Sequence, residues 1–495
     1  MMARSIDLLS PAWLIALAMW GGAPAPAPPA SPGVDLIGLR LAHLRLDLAI
    51  DYDKRRLDGM ATLEVENASD EPVLLIPLLL YRLMTVSEIT DQGGTPVAFT
   101  QDIVTLEDWP QYQANHITII LDSPIEPGER GAVRVTYGGY LAGFTETGMG
   151  YVRDHINRDF TILREDALAF PVLGVLSWEQ NRAAPRAPFA FGVRITVPED
   201  LTVAAGGEFV ARTVNDGSAT FEYRSVLPAD FVNIAIAPYR LLESQGGGGG
   251  GGARIFYLPD DSVGARRVLS RLDQALAFLE ERFGPLGAHP GLTVIEIPEG
   301  FGSQASLAAG IIQTRDAFND PSQHRQFYHE LSHLWNAPDL DAPSPRWNEG
   351  LASFLERRLA AELDGWGELE SYMEEAARGI VERFEENPSY LTTPFIDYGK
   401  ASLTGLSYRV GMLMFYALYE LTGPEAFDAA IGGYFQRYRQ SGGTTEAFVE
   451  FFQESTSARL EGFFDDWLST TQWVDRLRAA GSVEAMVAEY RGTTQ

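Results

Sequence analysis

The sequence HELSHLWNAPDLDAPSPRWNEGLASFLE, from His329 to Glu356, carries the clearest structural signal in the chain. It begins with two histidines four positions apart, and side chains at that spacing project from one face of a helix. Pro338 ends this helical pattern, and a second one starts at Asn348, a residue type favoured at helix N-caps. The stretch therefore predicts two helices joined by a proline-rich loop, with the carboxylate of Glu349 at the start of the second.

The residue types at these positions are typical of a metal site. His329 and His333 can each direct an imidazole nitrogen at one ion about 2.0–2.1 Å away, and Glu349 is the candidate third ligand. Glu330 is rotated by about 100° from His329 on the helix, which suits a general base that acts on water at the metal. Glu356 can orient a histidine ligand from behind. The chain has no cysteine, so histidine and carboxylate side chains must hold any metal.

A packed helix that binds no metal is the alternative interpretation of this stretch. The chain has only seven histidines, so a chance match to the motif is rare, and metal binding is the interpretation that we favour. The other histidines lack ligand spacing and are predicted to be surface or structural residues. They are His43, His116, His155, His289 and His324.

Length and charge restrict the class of protein. A chain of 495 residues, of which 45% are hydrophobic, can bury more than one core, so we expect a multidomain protein. The formal net charge of −29 argues against nucleic acid or anionic lipid as a partner.

Residues 1–33 are predicted to be a signal peptide or an N-terminal anchor with a Pro/Ala linker. The apolar stretch from Leu8 to Trp20 is too short to span a membrane but suits an export signal. We expect an exported protein, whether periplasmic, extracellular or held by a single uncleaved membrane anchor.

Hydrophobic periodicity divides the rest of the chain. The segment LRLDLAIDY, residues 44–52, alternates apolar and polar side chains, and similar short runs continue to about residue 242, so residues 34–245 are predicted to form an antiparallel β domain. The glycine run 246–252 is predicted to be a flexible loop or an interdomain hinge, and it is taken as the linker between the two predicted domains. In residues 253–495 the pattern is mainly helical, beginning with a helix that stops at Gly284 and Pro285.

With these motifs the chain resembles the zinc metallopeptidases of the membrane alanyl aminopeptidase type, a gluzincin family that includes leukotriene hydrolase. HELSH and WNEG are highly specific together, and patterns such as FAFGVRITVPEDLTVAAGG and SYRVGMLMFYALYELTG extend the resemblance over most of residues 35–470. It implies a saddle-like N-terminal antiparallel β domain followed by a mainly α, thermolysin-like catalytic domain.

The resemblance also implies the roles of individual residues. It implies one zinc ion per chain, peptide substrates, and Glu330 as the catalytic base. Tyr408 matches the tyrosine that stabilises the oxyanion, and Tyr398, in DYGKAS, is the rival for that role. The implied zinc ligands are His329, His333 and Glu349.

Three departures from the family pattern limit what can be carried over. The gap between His333 and Glu349 is shorter, and no counterpart of the family's large carboxy-terminal helical domain is evident. Family exopeptidases carry a Gly-x-Met-Glu-Asn motif whose glutamate binds the free amino group of the substrate. Here that region reads EGFGSQASLAAGIIQTRD, with no acidic residue between Glu299 and Asp316. The anchor for the substrate amine is therefore not evident.

We expect metal-assisted hydrolysis of peptide bonds, with Glu330 as base and Tyr408 as oxyanion donor. Two alternatives stay open at this point, namely a non-catalytic binding protein stabilised by zinc and a zinc hydrolase that acts on a non-peptide substrate such as an ester or epoxide. The sequence specifies neither the side-chain preference, nor the choice between exopeptidase and endopeptidase, nor the oligomeric state.

Overall fold

A computed structural model describes residues 38–143, 149–183, 187–244, 252–287, 289, 291–341, 348–398 and 403–492. These residues form two compact units, one of residues 38–269 and 289–319 and the other of residues 270–287 and 320–492. The predicted signal segment 1–33 and residues 246–251 of the glycine run lie outside the described residues. Within the described part, no helix is both long and apolar enough to cross a bilayer.

The largest sheet of the first unit has seven strands. All neighbouring strands are antiparallel except Leu39–Asp51 and Ala190–Pro198, which are parallel. Along the strand Leu39–Asp51, Leu44, Leu46 and Leu48 are buried while the residues between them are more exposed, so the predicted alternation is confirmed. In spatial order the strands are Glu208–Asn215, Ser218–Arg224, Ala190–Pro198, Leu39–Asp51, Arg56–Asn67, Arg130–Tyr140 and Met84–Asp91.

Two smaller antiparallel sheets complete the β-rich part of the first unit. Both bury mainly aliphatic side chains, and many of these pack into one core with those of the large sheet. Ile162, Ala204 and Ala235 of the three-stranded sheet instead pack into a second core with Ile295 and Ile312. The four-stranded sheet has the order Ala98–Thr105, Gln113–Ile125, Val73–Tyr81 and Val172–Leu173, and the three-stranded sheet has the order Thr202–Ala205, Asn233–Ala237 and Thr161–Arg164.

A five-stranded mixed sheet crosses the predicted domain boundary. The strands before and after the glycine run pair with each other antiparallel, so the run joins two strands of one sheet rather than two domains. The first unit continues to residue 319, which differs from the predicted boundaries at 245 and 253 because backbone pairing holds both sides of the run together. The strand order is Arg240–Glu243, Arg254–Tyr257, Thr293–Ile297, Gly310–Thr314 and Gln304–Ser306.

The second unit is built from helices, which confirms the predicted order of a β domain followed by a mainly helical part. The helix Ser262–Phe283 starts in the first unit, runs into the second and ends before Gly284 and Pro285, as predicted. Helices of more than four residues that follow it are Arg325–Ser332, Asn348–Asp364, Leu369–Glu386, Ser407–Thr422, Pro424–Tyr438, Thr445–Ser455, Gln472–Ala480 and Val483–Gly492. Shorter helices are Asp316–Asn319 and Glu461–Phe464, and Trp178–Ala183 lies in the β-rich part.

Three of these helices carry the predicted site and are named after it: the histidine helix Arg325–Ser332, the glutamate helix Asn348–Asp364 and the tyrosine helix Ser407–Thr422. All eight residues of the histidine helix are buried. The helix continues as a 3₁₀ turn over His333–Trp335 and ends at Asn336, whose backbone is extended, two residues before Pro338.

A contact between two glycines sets the distance between the glutamate and tyrosine helices. A Cβ atom added to Gly350 would lie 2.7 Å from the Cα atom of Gly411, so the two backbones touch. Further along, the ring of Phe354 lies 6.5 Å from that of Tyr416. The first contact pairs residue 350 with residue 411, and the second pairs residue 354 with residue 416. The two helices therefore run in the same direction. Any side chain larger than hydrogen at residue 350 must push them apart.

We predict that Gly350→Ala destabilises the protein by about 1–3 kcal/mol, because the new methyl group would overlap backbone atoms that cannot move aside. Urea unfolding followed by circular dichroism measures the change. Gly379→Ala is the matched control, since Gly379 lies inside the helix Leu369–Glu386 with open space around it. The control should be neutral or stabilise by about 0.5–1 kcal/mol. Equal stability of the two variants would show that the glycine contact is not needed.

Candidate metal centre

Three side chains from two helices meet at one point of the second unit. Nε2 of His329 lies 3.1 Å from Oε2 of Glu349 and 3.2 Å from Nε2 of His333. The third side of this triangle, from His333 Nε2 to Glu349 Oε2, measures 3.4 Å. Within the described residues, no other group of histidine and carboxylate side chains has such an arrangement. The structure thus brings together the three residues that the sequence singled out.

The geometry of this triangle fits a tetrahedral metal ion. Ligand atoms about 2.0–2.1 Å from a tetrahedral zinc ion lie about 3.3–3.4 Å from one another, close to the three distances in the structure. The two ring nitrogens also point at each other and at a carboxylate oxygen, and neutral imidazoles would present lone pairs there. A cation placed between the three atoms satisfies all of them, so these residues could hold one metal ion.

A second layer of side chains orients the two histidines. Oε2 of Glu356 lies 3.5 Å from Nδ1 of His329, and the other oxygen of the same carboxylate lies 3.2 Å from Nε of Arg325. The side-chain amide of Asn336 contacts Nδ1 of His333 at 3.0 Å and donates to the backbone oxygen of Asn348. Such contacts fix the rotation of each ring and thereby the direction of its ligand nitrogen.

The electrostatics of the cluster favour positive charge where the three atoms meet. Burial acts to lower the pKa of His329, but its hydrogen bonds with Glu349 and Glu356 and the charges around it raise the pKa to about 10. Burial acts to raise the pKa of Glu349, but the charge of His333 and the hydrogen bonds with both histidines hold this pKa well below the usual range. The pocket stabilises a cation, as a metal site must.

Glu330 is nearly buried, with 8% of its surface exposed, and it lies next to His329 in the histidine helix. Burial raises the pKa of Glu330 to about 6, although the charges of His329 and His333 oppose this rise. A carboxylate whose pKa lies closer to neutrality is a stronger base than an ordinary glutamate. This property suits proton transfer at neutral pH.

The two candidate tyrosines have different surroundings. The ring of Tyr408 is stacked on that of His329, with centroids 6.2 Å apart and an angle of 18° between the planes. Tyr398 is 1% exposed and packs into an aromatic cluster with Tyr390 and Phe395. Burial raises the pKa of Tyr398 far above its usual range. The structure places Tyr408 beside a candidate metal ligand and Tyr398 in the core.

In the first unit, the segment that lacks an acidic residue is held by its neighbours. The Gln304 side chain accepts from Asn233 at 3.0 Å and donates to the carboxylate of Asp166 at 3.0 Å. Glu299 accepts a hydrogen bond from the backbone N–H of Asp316 at 2.8 Å. A carboxylate therefore does touch this segment, but it comes from Asp166 rather than from the segment itself.

Sequence reasoning missed Arg325, Asn336 and Asp166. Arg325 precedes His329 by one helical turn, and its spacing would have placed it on the same face. Asp166 is 138 positions from Gln304, and nothing in the local sequence connects the two. The five remaining histidines are not part of the cluster. His324, for example, lies 2.7 Å from a carboxylate oxygen of Asp364.

Comparisons with known proteins identify relatives of the chain. No family model matches the sequence. Aminopeptidase M1-B of Oryza sativa subsp. japonica is 21% identical over 446 residues, which cover 84% of this chain and 49% of that protein. Glutamyl aminopeptidase of Mus musculus is 25% identical over 235 residues, covering 44% of this chain and 25% of that protein. The chain thus spans about half the length, or less, of these curated relatives.

Solved structures extend the comparison to the fold. An M1 zinc metallopeptidase of Deinococcus radiodurans has a TM-score of 0.65 and 21% identity, covering 88% of this chain and 95% of that one. A mutant of that enzyme was solved with a Tyr-Ser-Ala substrate. A two-domain M1 zinc metallopeptidase mutant bound to L-arginine gives a TM-score of 0.60 over 93% of this chain, at 19% identity. The predicted resemblance is confirmed, and the chain has the fold of the two-domain M1 zinc metallopeptidases.

Proposed function

We propose that the protein is a zinc-dependent metallopeptidase of the aminopeptidase type. The observation that carries this proposal is the triangle formed by His329, His333 and Glu349, whose sides match those of a tetrahedral zinc site. The two curated relatives are named as aminopeptidases, and the solved structures with this fold are zinc metallopeptidases. Peptides are therefore the substrates that we expect.

His329, His333 and Glu349 would hold one zinc ion. When bound, zinc polarises the scissile carbonyl group and lowers the pKa of water. Glu356 and Asn336 keep the two imidazole rings turned so that their Nε2 atoms face the ion. The buried histidine helix restricts the movement of its ligands, so the site is largely formed before a substrate binds.

Glu330 acts as the base in this proposal. Its carboxylate takes a proton from the attacking water and later delivers it to the nitrogen of the leaving amine. The raised pKa of about 6 allows both steps near neutral pH, because the group can accept and release a proton there. A zinc site that only stabilises a fold needs no buried glutamate of this kind. This argues against the alternative of a non-catalytic binding protein.

Tyr408 donates a hydrogen bond to the oxyanion that forms as water attacks the carbonyl carbon. Its stacking on His329 supports this role, because the ring is held beside a zinc ligand. Tyr398 lies among aromatic side chains, where its hydroxyl group is poorly placed for a substrate. The same residues could act on an ester or epoxide, so the test must compare substrates of different classes.

The zinc ligands and the base can be separated by two variants. Wild-type protein should contain about one zinc ion per chain and cut peptides in a manner sensitive to chelators. Glu330→Gln should keep the zinc and the fold while turnover falls by about 10²–10⁴-fold. His333→Ala should lose the zinc. Elemental analysis measures the zinc content, and assays with a peptide and with an ester measure turnover.

Undiminished zinc in His333→Ala would exclude this metal site, and turnover of Glu330→Gln close to that of the wild type would exclude the base. Zinc without any hydrolysis by the wild type would favour the binding protein. Hydrolysis of the ester alone would favour a non-peptide substrate.

Substitution of the two tyrosines tests the oxyanion donor. Tyr408→Phe should lower kcat by about 10²–10³-fold with little change in KM, because the hydrogen bond forms only in the transition state. Tyr398→Phe removes the same hydroxyl group from the aromatic core and should leave kcat nearly unchanged. A loss of kcat confined to Tyr398→Phe would assign the role to that residue instead.

The segment between Glu299 and Asp316, where family exopeptidases carry their amine anchor, predicts weak recognition of a free amino terminus. Ser303, Gln304 and Ser306 are neutral, whereas a charge-assisted hydrogen bond to an ammonium group contributes about 1.5–3 kcal/mol. Glu299 is already bonded to the backbone of Asp316. We therefore expect kcat/KM for a free peptide and its N-acetylated form to agree within about tenfold, with some internal cleavage.

Mass spectrometry of the products from such a peptide pair decides this point. Removal of single residues from the free peptide alone would contradict the expectation.

A further inference from the structure

His324 joins the start of the histidine helix to the end of the glutamate helix. It directly precedes Arg325, the first residue of the histidine helix, and it is buried. Nε2 of His324 donates to Oδ2 of Asp364, the last residue of the glutamate helix, at 2.7 Å. Nδ1 donates to the backbone oxygen of Pro321 at 2.5 Å. A carbonyl oxygen and a carboxylate oxygen can only accept, so both bonds form when the ring carries both protons.

Asp364 is also held by a third element of the second unit. Its other oxygen, Oδ1, lies 2.8 Å from a guanidinium nitrogen of Arg271, in the part of the helix Ser262–Phe283 that belongs to this unit. The Asp364 carboxylate is buried, so loss of either partner would leave a charge that is only partly compensated. We call His324, Asp364 and Arg271 the His324 clamp.

Aromatic contacts hold the ring of His324 from two further sides. The ring of Trp366, two residues beyond the glutamate helix, lies 5.4 Å from that of His324 and 5.5 Å from the guanidinium carbon of Arg325. The ring of Tyr328, one turn along the histidine helix, meets that of His324 edge-on at 5.7 Å. The first residues of the histidine helix therefore pack against the segment that follows the glutamate helix.

The contacts between these two helices follow opposite orders along the chain. The pairs are His324 with Asp364, His329 with Glu356, and His333 with Glu349. The two helices are therefore antiparallel. The metal centre lies at one end of the pair and the His324 clamp at the other.

A small slip of one helix along the other would spoil the metal centre. Metal–ligand distances vary by only about 0.2 Å, whereas a slip by one residue moves a helix about 1.5 Å along its axis. The histidine helix has eight residues, too few to be stable by itself in water. The side chain of its N-cap residue, His324, makes no capping hydrogen bond. Contacts with neighbouring elements must therefore fix the position of this helix.

We propose that His324 is a positioning residue of the metal centre. Through its bond to Asp364 it fixes the histidine helix along the glutamate helix, so that His329 and His333 meet Glu349 at the zinc ion. The proposal rests on the metallopeptidase function proposed above. Because His324 acts through the position of a helix, its loss should change both the strength and the geometry of metal binding.

The test measures metal binding to the full-length protein after its metal has been removed. Competition with a coloured chelator gives Kd for zinc, and the visible absorption of bound Co²⁺ reports the coordination geometry. His324→Leu removes both hydrogen bonds, so it should raise Kd for zinc about tenfold or more and alter the cobalt spectrum. His324→Gln keeps one donor for Asp364 and should retain part of the affinity. This milder variant also serves if His324→Leu does not fold.

Asp428→Asn is the matched control. Asp428, on the helix Pro424–Tyr438, pairs with Arg358 of the glutamate helix, so this ion pair joins the glutamate helix to an element other than the histidine helix. Urea unfolding should show a loss of stability in this variant, as in His324→Leu. Its Kd for zinc should stay within about twofold of the wild-type value, with an unchanged cobalt spectrum.

Unchanged zinc affinity and cobalt spectrum in both His324 variants would overturn the proposal. An equal loss of affinity in Asp428→Asn would also overturn it, because the effect would then follow from general loss of stability. A wild-type protein that binds no zinc would instead remove the metal site and the metallopeptidase function with it. Zinc binding by the wild type that does not respond to His324 contradicts this inference alone.

Discussion

The donor atoms of His329, His333 and Glu349 lie within 3.4 Å of one another, and this convergence is the constraint on which the second unit depends. Lone pairs on unprotonated ring nitrogens and on a carboxylate oxygen repel one another unless a proton or a metal ion lies between them, so helix packing has to hold these atoms together. The histidine helix is wholly buried, and the indole N–H of Trp335 bonds to the backbone of Gly284 just beyond it. On the other side, contact between glycine backbones keeps the glutamate helix close to the tyrosine helix.

The charged side chains of the second unit are also arranged around the three donor atoms. Glu330, Glu349 and Glu356 gather around two imidazole rings, and Arg325 offsets part of their charge from behind. Removing one member would leave another buried without its partner, which costs more than the pair itself contributes. Because of this coupling, loss of a residue that surrounds the ligands also destabilises the ligands themselves.

Local spacing was sufficient to predict much of this molecule. The two histidines, Glu330 and Glu349 were found because helical periodicity and residue chemistry are both local, and strand alternation identified the β-rich part. The short strands Gln304–Ser306 and Gly310–Thr314 were missed because three to five residues give too little periodicity. The contact between Asp166 and Gln304 was missed because it joins distant parts of the chain.

The antiparallel pairing of Arg240–Glu243 with Arg254–Tyr257 has a consequence for how the chain tolerates change. Both ends of the glycine-containing connection are fixed by the same sheet of the first unit, so the connection does not link the two units. The entropy of closing a loop rises slowly with length, by about 0.6 kcal/mol per doubling. The connection can therefore lengthen or shorten with little effect on the fold, and it is a natural place to insert a tag or a probe.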